Sequence, residues 1–303
     1  MNAPNSFPGE FGISVQDAAS FSTSNLSAIT HTYHRHPLMQ IDRLELLAKS
    51  LAKTNQCRFV SPGVDAASPF NHKSSSPDGR SIEEVFRHIA TPSSWIALYD
   101  VESDPEYREF LAEVMGTVRH LIEPAEKITD IRGFIFISAH PSVTPFHIDR
   151  ENNFWLQIRG QKTITLWDRA DRDIVSARDV ENFIVYKSLD NVKLRNEFHR
   201  RSYEFRCKPG DGVYFPSTTP HTTRSEPSPV ETGDPVAISI GINFYTDRTR
   251  RNAYVHTTNG VLRRLGLRPR PPEAGADRTK YFLGKGIVAL RRLSSGYVPP
   301  PGF

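Results

Sequence analysis

Apolar residues recur at three- and four-residue intervals from Leu38 through Ile41, Leu44 and Leu47 to Leu51, a stripe along one helical face. Two further helices are marked by their caps. Ser81 stands three residues before Glu84 as a capping-box pair. Asp104-Pro105-Glu106 places an N-cap before a proline at the first helical position, which predicts a helix to about Ile122. Residues 57–60 and 95–99 read as short strands, and 61–80 as a Ser/Pro/Asn/Gly-rich loop. After Ile131 the pattern shortens to β segments at 134–138, 153–158, 162–167, 183–186, 203–207, 213–215 and 236–245, parted by turn residues.

These elements predict a mainly β protein, an all-β sandwich or jelly roll, in four regions. Residues 1–36, rich in Ser, Asn, Thr and Pro without a period, are expected to be a flexible arm, with His31, His34 and His36 on a surface loop. Residues 37–130 form a helical and mixed lead-in on which His88 and His120 read as structural. Residues 131–247 form the β core. Residues 248–303 form an extension: a Pro/Arg-rich linker, then an apolar stretch at 287–293 expected to be helical.

Alternation within strands separates a core face from a pocket face. Along 236–245, Ile238, Ile240, Ile242 and Phe244 share one side, while Ala237, Ser239, Gly241, Asn243 and Tyr245 share the other, a small and polar face suited to lining a cavity. Asn153, Trp155 and Gln157 likewise oppose Phe154, Leu156 and Ile158. The turn Arg159-Gly160-Gln161 is expected to return the chain as an antiparallel neighbour, with Lys162 facing either solvent or an anion inside the barrel.

Three residues suggest a metal site. In an extended backbone His147 and Asp149 point the same way and offer one ion an imidazole and a carboxylate. His-x-Asp alone says little, because roughly 0.6 such tripeptides are expected by chance in a chain of this composition. A third ligand is available at His221, just past a short β segment that follows the turn Pro209-Gly210-Asp211-Gly212. Two histidines and one carboxylate make the facial triad of non-haem Fe(II) oxygenases.

The surrounding motifs make the pattern specific. Thr144 to Asp149 reads Thr-Pro-x-His-x-Asp, followed by Asn153-Phe154, then Gln157 to Lys162 as Gln-Ile-x-Gly-x-Lys, Pro209-Gly210-Asp211, His221 and Asn243-Phe244. In these motifs the chain resembles the JmjC/cupin-like 2-oxoglutarate oxygenases, and within them the asparaginyl hydroxylases that modify hypoxia-inducible factor. The resemblance covers about residues 131–247 and implies a double-stranded β-helix. It implies that His147, Asp149 and His221 hold Fe(II), that Lys162 and Thr144 bind the distal carboxylate of 2-oxoglutarate, and that Asn153 and Asn243 support the pocket. Phe134, Phe136 and Trp155 would wall it against water. The implied reaction consumes 2-oxoglutarate and molecular oxygen and hydroxylates an unactivated C–H bond. Thr218-Thr219-Pro220 before the distal histidine and Tyr245 in the last strand depart from the asparaginyl hydroxylases on the substrate side, so asparagine hydroxylation is not carried over.

Composition narrows the setting. Lysine and arginine number 38 against 34 acidic residues, a net charge of +4 that gives no reason to expect nucleic acid, and the arginines from Arg248 to Arg292 read as a solvated basic surface. Cys57 and Cys207 are too few for a disulfide framework and are expected to be free thiols. The opening Met-Asn-Ala-Pro lacks the basic and apolar regions of a signal peptide, and no apolar run is long enough for a bilayer, so a soluble, cytoplasmic protein without membrane contact is expected. The regions flanking the β core suit a groove for a protein or peptide substrate, or a lid over a small molecule. N-methyl demethylation by the same chemistry, or a non-catalytic cupin-like binding module, stays open, and the C-terminal extension is expected to serve a homodimer.

Overall fold

A computed structural model describes residues 10–16, 18–19, 21–59, 66–68, 80–91, 94–123, 125–225, 235–272 and 277–303. Most of the predicted loop 61–80 and the first nine residues of the predicted arm lie outside them. The described chain forms two antiparallel sheets. The larger contains β1 (Ile13–Val15), β2 (Ser27–His31), β3 (Cys57–Phe59), β4 (Trp95–Leu98), β5 (Ile128–Ala139), β7 (Asn152–Arg159), β10 (Asp211–Phe215) and β12 (Val236–Thr246) in the order β1-β2-β10-β7-β12-β5-β4-β3. The smaller runs β6 (Val143–His147), β11 (His221–Ser225), β8 (Lys162–Trp167), β9 (Ser202–Cys207).

The two faces of the larger sheet are covered differently. Ile238, Ile240, Ile242 and Phe244 of β12 join Phe154 and Leu156 of β7 in the main core. That core is closed by α1 (Ile41–Ala52) through Leu44, Leu47 and Leu51, and by α3 (Pro105–Ile122) through Phe110, Leu111, Val114 and Val118. Fully burying one such side chain is worth about 1.5–3 kcal/mol, so these stripes fix which face of the sheet the helices cover. The opposite face packs on the smaller sheet through Trp155, Val213 and Phe215 against Ile164, Leu166 and Cys207. The site lies on this inter-sheet side.

Local signals and structure agree at the caps. Ser81 and Glu84 form the reciprocal capping box of α2 (Ile82–Arg87), and the Asp104 carboxylate accepts from the Glu106 and Tyr107 amides. Cys57 is half-buried and Cys207 buried, and both are free; burial pushes each thiol up to about 12. No described helix is long and apolar enough to cross a membrane.

Four expectations are corrected. Residues 13–15 and 27–31 of the predicted arm are strands: β2 pairs with both β1 and β10, and its short polar sequence is extended because the edge of β10 offers a ladder. His31 is buried with Nε2 3.0 Å from the Gln157 carbonyl, and burial lowers it to about 4, so it is a packed residue of the sheet. Residues 183–186 are the last turn of α4 (Ala177–Tyr186), where Val180, Phe183 and Ile184 make a helical stripe that a four-residue window reads as β. Residues 247–264 form α5 (Asp247–Arg264) instead of a linker. Its buried face of Ala253, Thr257, Thr258 and Asn259 is too polar to show as an apolar stripe, and it pairs with α6 (Arg278–Ser295), which contains the predicted 287–293.

The last correction concerns Lys162. β7 and β8 are not ladder neighbours: β7 pairs with β10 and β12, while β8 pairs with β11 and β9. Gly160 between them has φ +62°, and a Cβ there would meet the Val236 carbonyl at 2.5 Å, so this turn passes the chain tightly over β12 from one sheet to the other. Lys162 therefore starts a strand of the facing sheet and is buried at 2% exposure.

Candidate metal centre

His147 ends β6 and His221 opens β11, and the two are register partners in the smaller sheet, with ring centroids 4.1 Å apart. Each ring is oriented by its own turn: His147 Nδ1 lies 2.7 Å from the Pro145 carbonyl and His221 Nδ1 3.0 Å from the Thr219 carbonyl. A carbonyl only accepts, so each Nδ1 carries the hydrogen and each Nε2 keeps its lone pair. Both lone pairs face Asp149, with His147 Nε2 3.7 Å from Oδ1 and His221 Nε2 3.6 Å from Oδ2. These separations are too long for hydrogen bonds. The three donor groups lie within 4.8 Å of one another and form the one His/Asp cluster of ligand geometry among the described residues.

Asp149 is not on the strand that carries His147. β6 stops at His147, and Asp149 sits two residues on, where its carbonyl accepts from the Thr218 amide at 2.8 Å. Thr218, in the loop before the distal histidine, has φ +65°, a rare conformation for a β-branched residue. The segments carrying Asp149 and His221 thus brace each other.

The cluster opens into a cavity of about 380 Å³ between the sheets. Nine of the ten residues singled out in the sequence line it: the three candidate ligands with Thr144, Asn153, Asn243, Trp155, Phe134 and Phe136. Lys162 is the tenth. Its ammonium donates to Ser239 Oγ at 3.1 Å, on the same face of β12 as Gly241 and Asn243, and burial pulls it down to about 7.

Several polar groups here are left wanting a partner. Asn153 Oδ1 and Asn243 Oδ1 are buried without one. Gly241 between them leaves a hollow, since a Cβ there would meet Asn243 Oδ1 at 3.1 Å and Asn153 Oδ1 at 3.3 Å. An amide reversed end for end presents its NH₂ instead. A buried ammonium and two such amides fit the carboxylate of a cosubstrate, and two Nε2 lone pairs with a carboxylate fit a divalent transition metal.

The tertiary structure adds Arg132 and Tyr99, which the motifs did not mark, and gives Tyr245 and Gln157 their partners. Arg132 lines the cavity and could have been found by alternation, being two and four residues before Phe134 and Phe136 on β5. Tyr99 arrives from the end of β4, pushed up to about 12 by burial, with the Arg58 guanidinium 4.7 Å from its ring centroid. Tyr245 donates its hydroxyl to Glu151 Oε1 at 2.5 Å, and burial followed by the nearby Asp149 pushes the Glu151 carboxyl up. Gln157, placed on the pocket side by alternation, spends its amide on the Arg159 and Gly160 carbonyls.

Two antiparallel sheets enclosing a His–Asp–His set define a jelly-roll protein with its candidate metal cluster inside the barrel. Residues 27–250 match the model of the cupin-like domain, and the chain belongs to that family. No curated protein matches it. It is similar to solved structures of YcfD from Escherichia coli. One shares 16% identity over 92% of this chain and 67% of that one, with a TM-score of 0.47. YcfD is described as a ribosomal oxygenase; its complex with cobalt and 2-oxoglutarate shares 14% identity over 95% of this chain and 70% of that one, with a TM-score of 0.46. Its complex with cobalt and succinic acid gives 15%, 95%, 70% and 0.46. The chain spans about two thirds of the length of these proteins.

Proposed function

We propose that this protein is an Fe(II)/2-oxoglutarate-dependent oxygenase that hydroxylates an unactivated C–H bond on a protein or peptide side chain. The observation that carries the reading is the facing pair of Nε2 lone pairs on His147 and His221 with the Asp149 carboxylate between them. His147, Asp149 and His221 would hold the iron, leaving coordination positions open. Lys162 and Thr144 would take the far carboxylate of 2-oxoglutarate, with Asn153 and Asn243 supporting it. When bound, iron and cosubstrate supply the oxidising power that splits molecular oxygen, giving succinate, carbon dioxide and the hydroxylated product.

The protein's own residues position and shield. The Pro145 and Thr219 carbonyls fix both imidazole tautomers before any metal arrives. Phe134, Phe136 and Trp155 exclude water from the reacting centre. Burial of Lys162 makes its charge costly until a carboxylate meets it, which favours the cosubstrate over neutral molecules.

A polypeptide substrate is supported by β3. It is an edge strand of the larger sheet among the described residues, and Arg58 with the preceding Asn55 and Gln56 lines the cavity. An extended peptide could dock beside it through backbone hydrogen bonds and extend one side chain to the metal. A homodimer is supported by α6, which leaves Phe282, Leu283, Leu290 and Leu293 at 55–87% exposure after burying Gly284 and Val288.

The test of the reaction is succinate formation from 2-oxoglutarate in air, with and without added Fe(II). Iron-dependent succinate is the expected result. Its absence with the fully metal-loaded chain, with and without host-cell peptides, would leave a binding module in place of an enzyme.

A further inference from the structure

The cavity around the candidate metal cluster grades from buried to open. His147, His221, Asn153, Trp155 and Asn243 at its inner end are buried, whereas Asn55 and Lys187 are exposed and Arg58 and Asp100 half-buried, so these four mark its mouth. Three of them share a rare backbone conformation. Among the described residues four non-glycine residues have a left-handed φ, and Asn55 (+60°), Asp100 (+50°) and Lys187 (+61°) all stand at this mouth. Such outliers persist where the surroundings hold them, and they cluster at working sites.

Lys187 is the costliest of the three, since Asn and Asp tolerate this region and lysine does not. It closes α4, where its amide donates to the Phe183 carbonyl at 2.9 Å. Glycine is usual at such a helix end, and α6 stops with nearly the same φ on Gly296. The last turn of α4 is fastened over the cavity by Arg150, the neighbour of Asp149, whose Nη2 donates to the Phe183 and Ile184 carbonyls. A lysine therefore stands where a glycine would fit more easily, and its side chain lines the cavity. Arg58 reaches the same space by strand alternation: on β3, Cys57 and Phe59 pack on the main core while Arg58 lines the cavity.

The charges at the mouth do not balance. Each carboxylate lining the cavity is engaged: Asp149 belongs to the candidate metal cluster, Glu151 accepts from the Tyr245 hydroxyl and the Arg150 amide, and Asp100 lies 3.6 Å from the Arg132 guanidinium. Two of the cations are not. Arg58 has the Tyr99 ring, 4.7 Å from its guanidinium, and no carboxylate at ion-pair distance among the described residues. Lys187 has neither a side-chain hydrogen bond nor an ion pair among them. Burial, followed by the Arg150 and Arg132 charges, lowers the Lys187 ammonium from its ordinary value, so it stands in positive surroundings. Cations gathered at the opening of a low-dielectric cavity draw in negative charge.

We infer that the substrate is an acidic peptide: with its target side chain at the metal cluster, carboxylates on neighbouring residues pair with Lys187 and Arg58 at the cavity mouth. This rests on the reading of a polypeptide substrate, and it makes Lys187 and Arg58 specificity-determining residues.

A synthetic pool of random peptides, passed over the immobilised full chain loaded with Mn(II) and 2-oxoglutarate at about 0.15 M salt, reads the preference without turnover. Bound peptides should be enriched in Asp and Glu. Lys187→Glu should bind the most enriched peptide about tenfold more weakly, and exchanging that peptide's acidic residues for lysine should restore affinity in this variant and not in the wild type. Lys187→Gly should lose the preference without lowering the thermal midpoint, because glycine takes the left-handed conformation freely. Arg268→Glu makes the same change of charge on the exposed surface outside the cavity and should keep the preference. Recovery of no peptide, recovery without acidic enrichment, an unchanged preference in Lys187→Glu, or an equal loss in Arg268→Glu would each overturn the inference. Iron-dependent succinate from the wild-type chain separates the two readings. Succinate without an acidic preference sinks the inference alone, and an acidic preference without succinate sinks the oxygenase reading alone.

Discussion

Lys162→Met should make the empty protein more stable while disabling its cosubstrate site. The ammonium is 2% exposed, has a serine hydroxyl as its recorded partner, and is pulled from 10.5 to about 7 by burial. At about 1.4 kcal/mol per pKa unit, holding the charge in the folded state costs up to about 5 kcal/mol. Met fills a similar volume without charge. Giving up the bond to Ser239 returns about 1 kcal/mol, which leaves a net gain of a few kcal/mol at neutral pH. The pH dependence has a definite sign. Between about 7 and 10.5 the unfolded lysine holds a proton that the folded one has released, so this residue makes wild-type stability rise with pH across that window. The variant lacks this rise. Urea unfolding of both metal-free proteins at pH 7 and pH 9.5 measures the effect: the variant should lead at pH 7, and the gap should narrow at pH 9.5. Cosubstrate binding should move oppositely. Removing one partner of a desolvated ion pair costs about 3–5 kcal/mol, so 2-oxoglutarate affinity with Mn(II) in place of iron should fall by roughly two to four orders of magnitude. A variant less stable than wild type at pH 7, or one with equal 2-oxoglutarate affinity, would refute the reasoning.

Asp149→Ala should abolish iron-dependent succinate formation with a thermal midpoint close to wild type, since Asp149 is tied to the fold by its backbone carbonyl; wild-type turnover would remove it from the metal site. Leu290→Glu with Leu293→Glu should lower the sedimenting mass to that of one chain, and an unchanged mass in both proteins would remove α6 from any interface. Host-cell peptides incubated with enzyme, iron, 2-oxoglutarate and labelled oxygen should acquire label on a side chain by mass spectrometry. Label confined to a metabolite would replace the polypeptide substrate with a small molecule.

Sequence alone determined what depends on near neighbours. The period-two pattern of β12 separates Ile238, Ile240, Ile242 and Phe244 from Ser239, Gly241 and Asn243 because a strand alternates its side chains whatever it pairs with, and the structure sends those sets to core and pocket. The caps at Ser81 and Asp104 are legible for the same reason, being bonds within one turn. His147, Asp149 and His221 were found because the motifs around them occupy short stretches with fixed spacing. Distant pairing was not legible. Residues 27–31 are a strand because β10 gives them a partner nearly two hundred residues away, and α5 is a helix whose polar face is buried by α4 and α6. The crossing of Gly160 between sheets, which turns Lys162 inward, depends on how closely β12 lies beneath it. The mouth of the metal cavity draws Asn55, Asp100 and Lys187 together from the ends of α1, β4 and α4, and no local period records that meeting. Backbone periodicity fixes which way a residue points along its own element; only the packing of elements decides what it meets there.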